Sequence, residues 1–167
     1  MPNHITNRLR VLGNSTEVDK VFDYIKKDGE EVTIDFNTIT PQPDWVYQGS
    51  LSSKEEKKYG ENNCWYEWRR ENWGTKWNAY NIDKNRSEFN SIYFDTAWNP
   101  PIKLIKKLSL IFEETLFQFS WASEDTGYNV GDIFIKCGSI TDKIEIKEET
   151  ENAIRFAKEL KGSDYLC

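Results

Sequence analysis

Histidine, methionine and cysteine are scarce in this 167-residue chain, which has one, one and three of them. With His4 the sole imidazole, nucleophilic catalysis of the Ser-His-Asp or Cys-His kind has to pass through it, with Cys64 or Cys137 as the thiol. Its neighbours Asn3 and Ile5 supply neither a base nor an orienting carboxylate, so a strand-end histidine with a structural hydrogen bond is expected. Cys64, Cys137 and Cys167 are an odd number without C-x-x-C spacing, which argues against a disulfide framework or zinc site and for a reducing cytosol. No segment approaches the roughly 18 apolar residues of a membrane span. The opening Met1-Pro2-Asn3-His4 enters a strand at once and lacks signal-peptide architecture. P-loop, G-x-G-x-x-G, G-x-S-x-G and H-E-x-x-H motifs are all missing, so no catalytic residue and no cofactor is expected. Glu124, Asp125 and Asp132, around Gly127 and Gly131, carry oxygen ligands but not the alternation of an EF-hand loop. A turn that solvates its acids is expected there, and no metal site.

Acidic residues outnumber basic ones, 28 to 22, for a formal charge of −6, which opposes non-specific attraction to phosphate backbones and anionic lipid. Hydrophobic content is a low 38%, but 14% of the chain is aromatic, and each buried ring removes a large apolar area from water. Length and the absence of a linker or repeat point to one domain over 1–167.

Periodicity orders the chain. His4 to Leu12 alternates as a strand, and Asn14 with Glu17 forms a capping box for a helix whose stripe is Val18, Val21, Phe22 and Ile25. Val32 to Phe36 alternates as a second strand closed by Pro41 and Pro43. Ser50 to Tyr59 reads as a short surface helix, and Cys64 to Glu71 as another, capped by Asn62 or Asn63 and ended by Trp73-Gly74. Glu88 to Phe94 is a third strand. Pro101 suits the first turn of a helix with the stripe Ile102, Ile105, Leu108 and Phe112. Phe117, Phe119 and Trp121 mark a fourth strand. Ile133 to Cys137 and Ile140 to Ile146 form a hairpin across Gly138-Ser139, and Glu149 to Lys161 a last helix. The predicted fold is α+β: a ferredoxin-like split βαβ sandwich, an antiparallel sheet with helices on one face. It carries a Trp-rich helical insert between strands 2 and 3 (about 40–86) and a C-terminal hairpin and helix (about 127–161).

Two stretches stand out chemically. Trp65 to Tyr80 holds four of the seven tryptophans, a composition that builds either a stiff local core or a stacking platform. Trp65 and Trp68 fit the insert's own packing. Lys76, between Trp73 and Trp77, can supply a cation–π contact or bind an anion. Ser91 to Pro101 ends a strand and enters a helix, a junction that presents amides to anions, with Thr96 and Asn99 as cap-type residues. The expected ligand- or partner-facing wall is Trp73, Lys76, Trp77, Thr96, Trp98 and Asn99.

Pro2-Asn3-His4-Ile5-Thr6-Asn7 with Gly13, Asp35-Phe36-Asn37 running to Pro41 and Pro43, Asn72-Trp73-Gly74-Thr75-Lys76-Trp77, and Thr96-Ala97-Trp98 with Pro100-Pro101 occur in the order of one family. Over about Met1 to Cys137 the chain resembles the YubB-type ferredoxin-like proteins of bacterial plasmids and phages. The resemblance implies the ferredoxin-like fold and a mobile-element setting in the host cytosol, and it implies no activity. In that setting the expectation is a non-enzymatic binding module, a counter-defence inhibitor or sponge for a host protein or a nucleotide-like small molecule. Single-stranded nucleic-acid binding on the open sheet face is the alternative, against the sign of the charge, and a cryptic hydrolase using His4 or the Glu124/Asp125 carboxylates is a further one. The hairpin edge allows a homodimer, although its Lys/Glu alternation resembles edge protection.

Overall fold

Alternation in β1 (His4–Leu12) sets the two faces of the sheet: Ile5, Asn7, Leu9 and Val11 are buried on one side, and His4, Thr6, Arg8 and Arg10 line the other. The computed structural model describes residues 2–162, so Cys167 lies outside the described residues. After β1 come α1 (Ser15–Ile25), α2 (Phe36–Ile39), α3 (Ser53–Tyr59), a 3-10 turn (Glu61–Asn63) and α4 (Trp65–Asn72). They are followed by β2 (Ser91–Ala97), α5 (Ile102–Ile111), β3 (Leu116–Ser123), β4 (Val130–Lys136), β5 (Ser139–Lys143) and α6 (Glu151–Lys161).

The five strands form one sheet in the order β2-β1-β3-β4-β5, with every neighbouring pair antiparallel. β2 and β3 flank β1 and are joined by α5, which is the split βαβ arrangement. Helices α1, α2, α4 and α5 cover one face over a core that includes Leu9, Val21, Phe36, Trp73, Phe94, Leu108 and Phe119. The last helix, α6, lies against the other face, where Ala157 and Leu160 meet Ala122 and are bordered by Tyr93, Val130 and Phe156. The amphipathic stripe that the sequence shows in this helix therefore seals the face left open by the first four.

Local chemistry explains the boundaries. Asn14 caps α1 with the expected capping box, its side chain accepting from the Glu17 amide. Cys137 (φ +47°) and Gly138 (φ +79°) are both left-handed, which is the two-residue turn that joins β4 to β5.

The expected strand at Val32–Phe36 does not form. Asp35 donates its amide to the Ile25 carbonyl at 2.8 Å, and its carboxylate accepts from the Asn37 amide, capping α2 instead. The Phe36 amide goes to the Asn78 side chain at 2.9 Å, so the donors a strand would offer a neighbour are spent locally. The insert consequently follows α2 rather than a second strand. In the split βαβ plan the missing strand would run along the outer edge of β2, and there Tyr80–Asp83 takes its place. Tyr80 and Asp95 exchange both amide–carbonyl bonds, at 3.1 and 2.8 Å, and the Asp83 amide donates to the Tyr93 carbonyl at 3.0 Å.

Two further expectations are corrected. Asn62 and Asn63 lie in the 3-10 turn and do not cap α4, whose N-cap is Cys64 without a side-chain bond. Neither Thr96 nor Asn99 caps α5: its N-cap is Pro101, again without a side-chain bond, and the Thr96 hydroxyl donates to the Asn99 carbonyl.

Candidate functional site

The insert is held to the sheet by its aromatic side chains. The Arg69 guanidinium lies between the Trp65 and Trp73 rings, 5.0 and 5.3 Å from their centroids, and burial lowers its pKa from the ordinary value. Trp68 meets Trp73 edge-on at 5.6 Å, and Phe36 meets both Trp73 (5.7 Å) and Phe94 (6.2 Å) in the same manner. Edge-to-face pairs contribute about 0.5–1.5 kcal/mol each beyond area burial. The Trp73 indole N–H donates to the Thr40 carbonyl at 2.9 Å, so this large buried ring leaves no orphan donor.

Gly74 decides which residues of the next segment face outward. The Trp73 and Gly74 amides both donate to the Arg69 carbonyl, ending α4, and Gly74 turns left-handed at φ +80°. Trp73 therefore points inward at 1% exposure, while Lys76 and Trp77 emerge half-buried beyond the turn. The Thr75 side chain, fully buried, donates to the Ala97 carbonyl at 2.8 Å and joins this segment to the end of β2.

At that end of β2 the Thr96 hydroxyl donates to the Asn99 carbonyl (2.8 Å) and accepts from the Asn7 amide group (3.0 Å), while the Trp98 amide donates to the Asn3 carbonyl (2.9 Å). Trp98 is thereby fixed at φ +72°, a left-handed conformation that costs a bulky side chain about 1–2 kcal/mol. The residue is 45% exposed. Thr96 is wholly buried and Asn99 exposed.

The six expected wall residues thus divide. Lys76, Trp77, Trp98 and Asn99 reach the surface at one end of the sheet, and the Thr75–Ala97 bond brings their two segments together. Trp73 and Thr96 are corrected to interior residues: the first is a core ring, the second a hydroxyl that fixes the backbone beneath Trp98.

Around Lys76 and Trp77 the structure adds residues that sequence reasoning did not assign to the wall. Lys76 Nζ sits 4.8 Å from the Trp77 centroid and 6.0 Å from that of Tyr66. Trp77 meets Tyr80 edge-on at 6.1 Å, Tyr80 meets His4 at 5.6 Å, and the Tyr80 hydroxyl lies 2.7 Å from His4 Nδ1. The order Tyr66, Lys76, Trp77, Tyr80, His4 is a continuous band of rings with one ammonium in it. No spacing signal links His4 to Tyr80, 76 residues on; the pairing follows only from Tyr80 lying along β2. Beside the band, a cavity of about 480 Å³ is lined by Gly74, Asn99, Arg70, Lys103, Glu67 and Glu71. Arg70 pairs with Glu67 at 2.8 Å, and Lys103 Nζ reaches the Glu71 carbonyl at 3.5 Å.

On the α6 face, next to the band, Thr6, Asn81, Asp83, Arg86, Asp95 and Lys161 line a polar cleft of about 350 Å³. Burial raises the Asp95 carboxyl above its ordinary value, an effect the Asn81 and Thr6 hydrogen bonds and the His4 charge pull back. Burial lowers the Lys161 ammonium, although Asp125 and Glu124 act in the other direction.

His4 and Cys64 each have another partner. The His4 ring bonds Tyr80, and the Cys64 thiol donates to the Gly60 carbonyl at 3.4 Å. Burial, with the charges of Glu56, Glu55 and Glu61, pushes the Cys64 thiol up and disfavours the reactive thiolate. The acids near Gly127 are used separately: Glu124 accepts from the His4 amide at 3.0 Å, and buried Asp132 accepts from Gln118 and Ser120. Among the described residues no group of three or more His, Cys, Asp or Glu could hold a metal ion. No helix of the described residues is long and apolar enough to cross a membrane.

Sheet order and the α5 crossover define a ferredoxin-like α+β domain. The chain belongs to the family described as the ferredoxin-like domain in Api92-like protein, whose model matches residues 72–163. The match opens on the Asn72–Trp77 segment and takes in α6, which the motif resemblance did not reach. A crystal structure of the protein Api92 from Yersinia pseudotuberculosis superposes with a TM-score of 0.54, covering 87% of this chain and 98% of that one. At 12% identity the likeness shows the shared fold. No curated protein matches the chain.

Proposed function

We propose that this chain is a non-catalytic binding module that docks a protein partner on the sheet end carrying Trp98, Trp77 and Lys76. Trp98 carries the proposal. A bulky residue kept left-handed by hydrogen bonds on both sides, and nearly half exposed, spends stability without gaining burial. Such strain is retained where the exposed group is used. Tryptophan, tyrosine and arginine dominate the energetic centres of protein interfaces, and the Arg70–Glu67 pair and Lys103 beside the band supply a polar rim.

The resemblance to YubB-type proteins of plasmids and phages supports a counter-defence role in the host cytosol, as an inhibitor or sponge acting on a host protein. Full-length chain and its Trp98→Ala variant, immobilised and exposed to host lysate, test this by mass spectrometry of what is retained. A protein captured by the parent and lost with Trp98→Ala at unchanged thermal stability is the expected result; identical captures would sink the assignment.

One observation favours a second reading. Lys76 stacked on Trp77, with Arg70 and Lys103 at the neighbouring cavity, suits a planar anion such as a nucleotide. Native mass spectrometry of protein purified from its host separates the two, because a bound nucleotide adds a few hundred daltons and a protein partner far more. Nucleic-acid binding on the second sheet face has less support, since α6 lies on it.

A further inference from the structure

At the opposite end of β2 from Trp98, about 20 Å away for a strand of this length, lies a second recess. Phe22 from α1, Val32 from the stretch before α2, and Phe89 and Ile92 at the entry to β2 enclose about 300 Å³. It lies between α1, the unpaired stretch that precedes α2, and the entry to β2. Phe22 and Val32 pack onto the core from one side, and Ile92 is buried beneath them. Phe89 stands 63% exposed as the outer wall.

The charges that line it have one sign. Glu31 and Glu88, both exposed, are the charged residues of the lining, and no lysine, arginine or histidine is among the described residues that line it. Lys84, close by in sequence, is paired with Glu30 at 3.3 Å. Lys26 at the C-cap of α1 also feels the Glu31 charge, but it does not line the recess. An anionic ligand would meet two carboxylates there, whereas a cation would meet two partners and the face of an exposed ring. The volume is at the small end of ligand sites, about 300–1,000 Å³, which admits a one-ring molecule rather than a nucleotide.

We propose that this recess binds a small organic amine carrying one aromatic or branched apolar group. The apolar group lies against Phe22, Val32 and Phe89, and the ammonium sits between Glu31 and Glu88. This site is separate from the Trp98 surface and stands or falls independently of it.

Titration of the ¹⁵N-labelled full chain with phenethylamine, phenylacetate and the peptide Lys-Lys-Phe-Lys-Lys tests the proposal by amide chemical shift. Phenethylamine is expected to give saturable shifts at Val32, Thr33, Phe89 and Ile92, and phenylacetate none. The double variant Glu31→Gln/Glu88→Gln alters exposed side chains and should fold as the parent does. It is expected to weaken phenethylamine binding about five-fold, the scale of two surface charge pairs, and Phe89→Ala should weaken it further. The proposal is overturned if phenethylamine gives no saturable shift, if phenylacetate shifts the same amides equally, or if the double variant binds as tightly as the parent. Shifts of these amides by the peptide but not by the amine would assign the recess to a protein segment and overturn it as well.

Discussion

The Thr75 hydroxyl donates to the Ala97 carbonyl at 2.8 Å, and through that bond two tryptophan-bearing segments 22 residues apart in sequence share one surface. Thr75 is fully buried, so its replacement by valine leaves the Ala97 carbonyl without this donor. The Ala97 carbonyl keeps its bond from the Asn99 amide, so Thr75→Val should lower unfolding free energy by about 0.5–1.5 kcal/mol in urea titrations, and Thr75→Ser should recover most of it. A loss for Thr75→Ser with none for Thr75→Val would show that the methyl group, not the hydroxyl, matters.

Trp73 and Trp77 are four residues apart and chemically identical, yet they should respond oppositely. Trp73→Ala removes a core ring and orphans the Thr40 carbonyl, and is expected to cost about 3–5 kcal/mol. Trp77→Ala should shift the thermal midpoint far less while weakening partner capture. Calorimetry of the two variants side by side checks the division.

Much of the fold was legible from periodicity, and the exceptions have a physical cause. β1, α1, α5, β3, β4 and α6 follow their apolar stripes to within a few residues. The hairpin forms, but its turn falls on Cys137-Gly138 rather than Gly138-Ser139, and β5 ends at Lys143 without a buried stripe. At Val32–Phe36 the alternation correctly marked Ile34 and Phe36 as buried. It failed on pairing, because a period of two reports which side chains face inward and not where the amides go. At the surface, Lys76, Trp77, Trp98 and Asn99 could be read from their position at breaks and junctions. Trp73 could not, since its fate depends on a single left-handed glycine one residue on. The His4–Tyr80 contact depends on a register between distant segments, which no local pattern encodes.

Backbone strain at Trp98 gives a sharper test than ring removal. Glycine accepts φ +72° without penalty while alanine retains it, so Trp98→Gly should be more stable than Trp98→Ala by about 1 kcal/mol. Equal stability in urea would mean that the backbone relaxes once the ring is gone.

Asp95 makes stability depend on pH. Its folded pKa is raised, so the folded chain holds this proton more tightly than the unfolded chain does. The contribution is fully present below the ordinary value of 3.8 and is lost as pH rises through the folded value. The midpoint of Asp95→Asn relative to the parent should therefore climb across that window and level off above it. A difference independent of pH would remove Asp95 as the source.

The hairpin turn offers a stabilising change. Cys137 is left-handed, a conformation asparagine adopts far more readily, so Cys137→Asn should raise stability by a few tenths of a kcal/mol. Gly138→Ala should lower it, because a Cβ there would come within 2.8 Å of the Leu110 side chain. Paired urea titrations at one temperature decide both.

Tyr80–Asp83, laid along β2, also governs how copies of this chain can meet. It replaces the β2 margin by a four-residue segment broken at left-handed Asn81 (φ +47°), a poor template for a further strand, and leaves β5, exposed along its whole length, as the regular margin. Strand addition needs a free margin on each molecule at every step. A sheet with two such margins can extend without limit into a fibre, but one with a single margin is consumed when two copies join. Self-association by this route is therefore self-terminating at a pair, and the insert that carries the tryptophans doubles as a stop against runaway polymerisation.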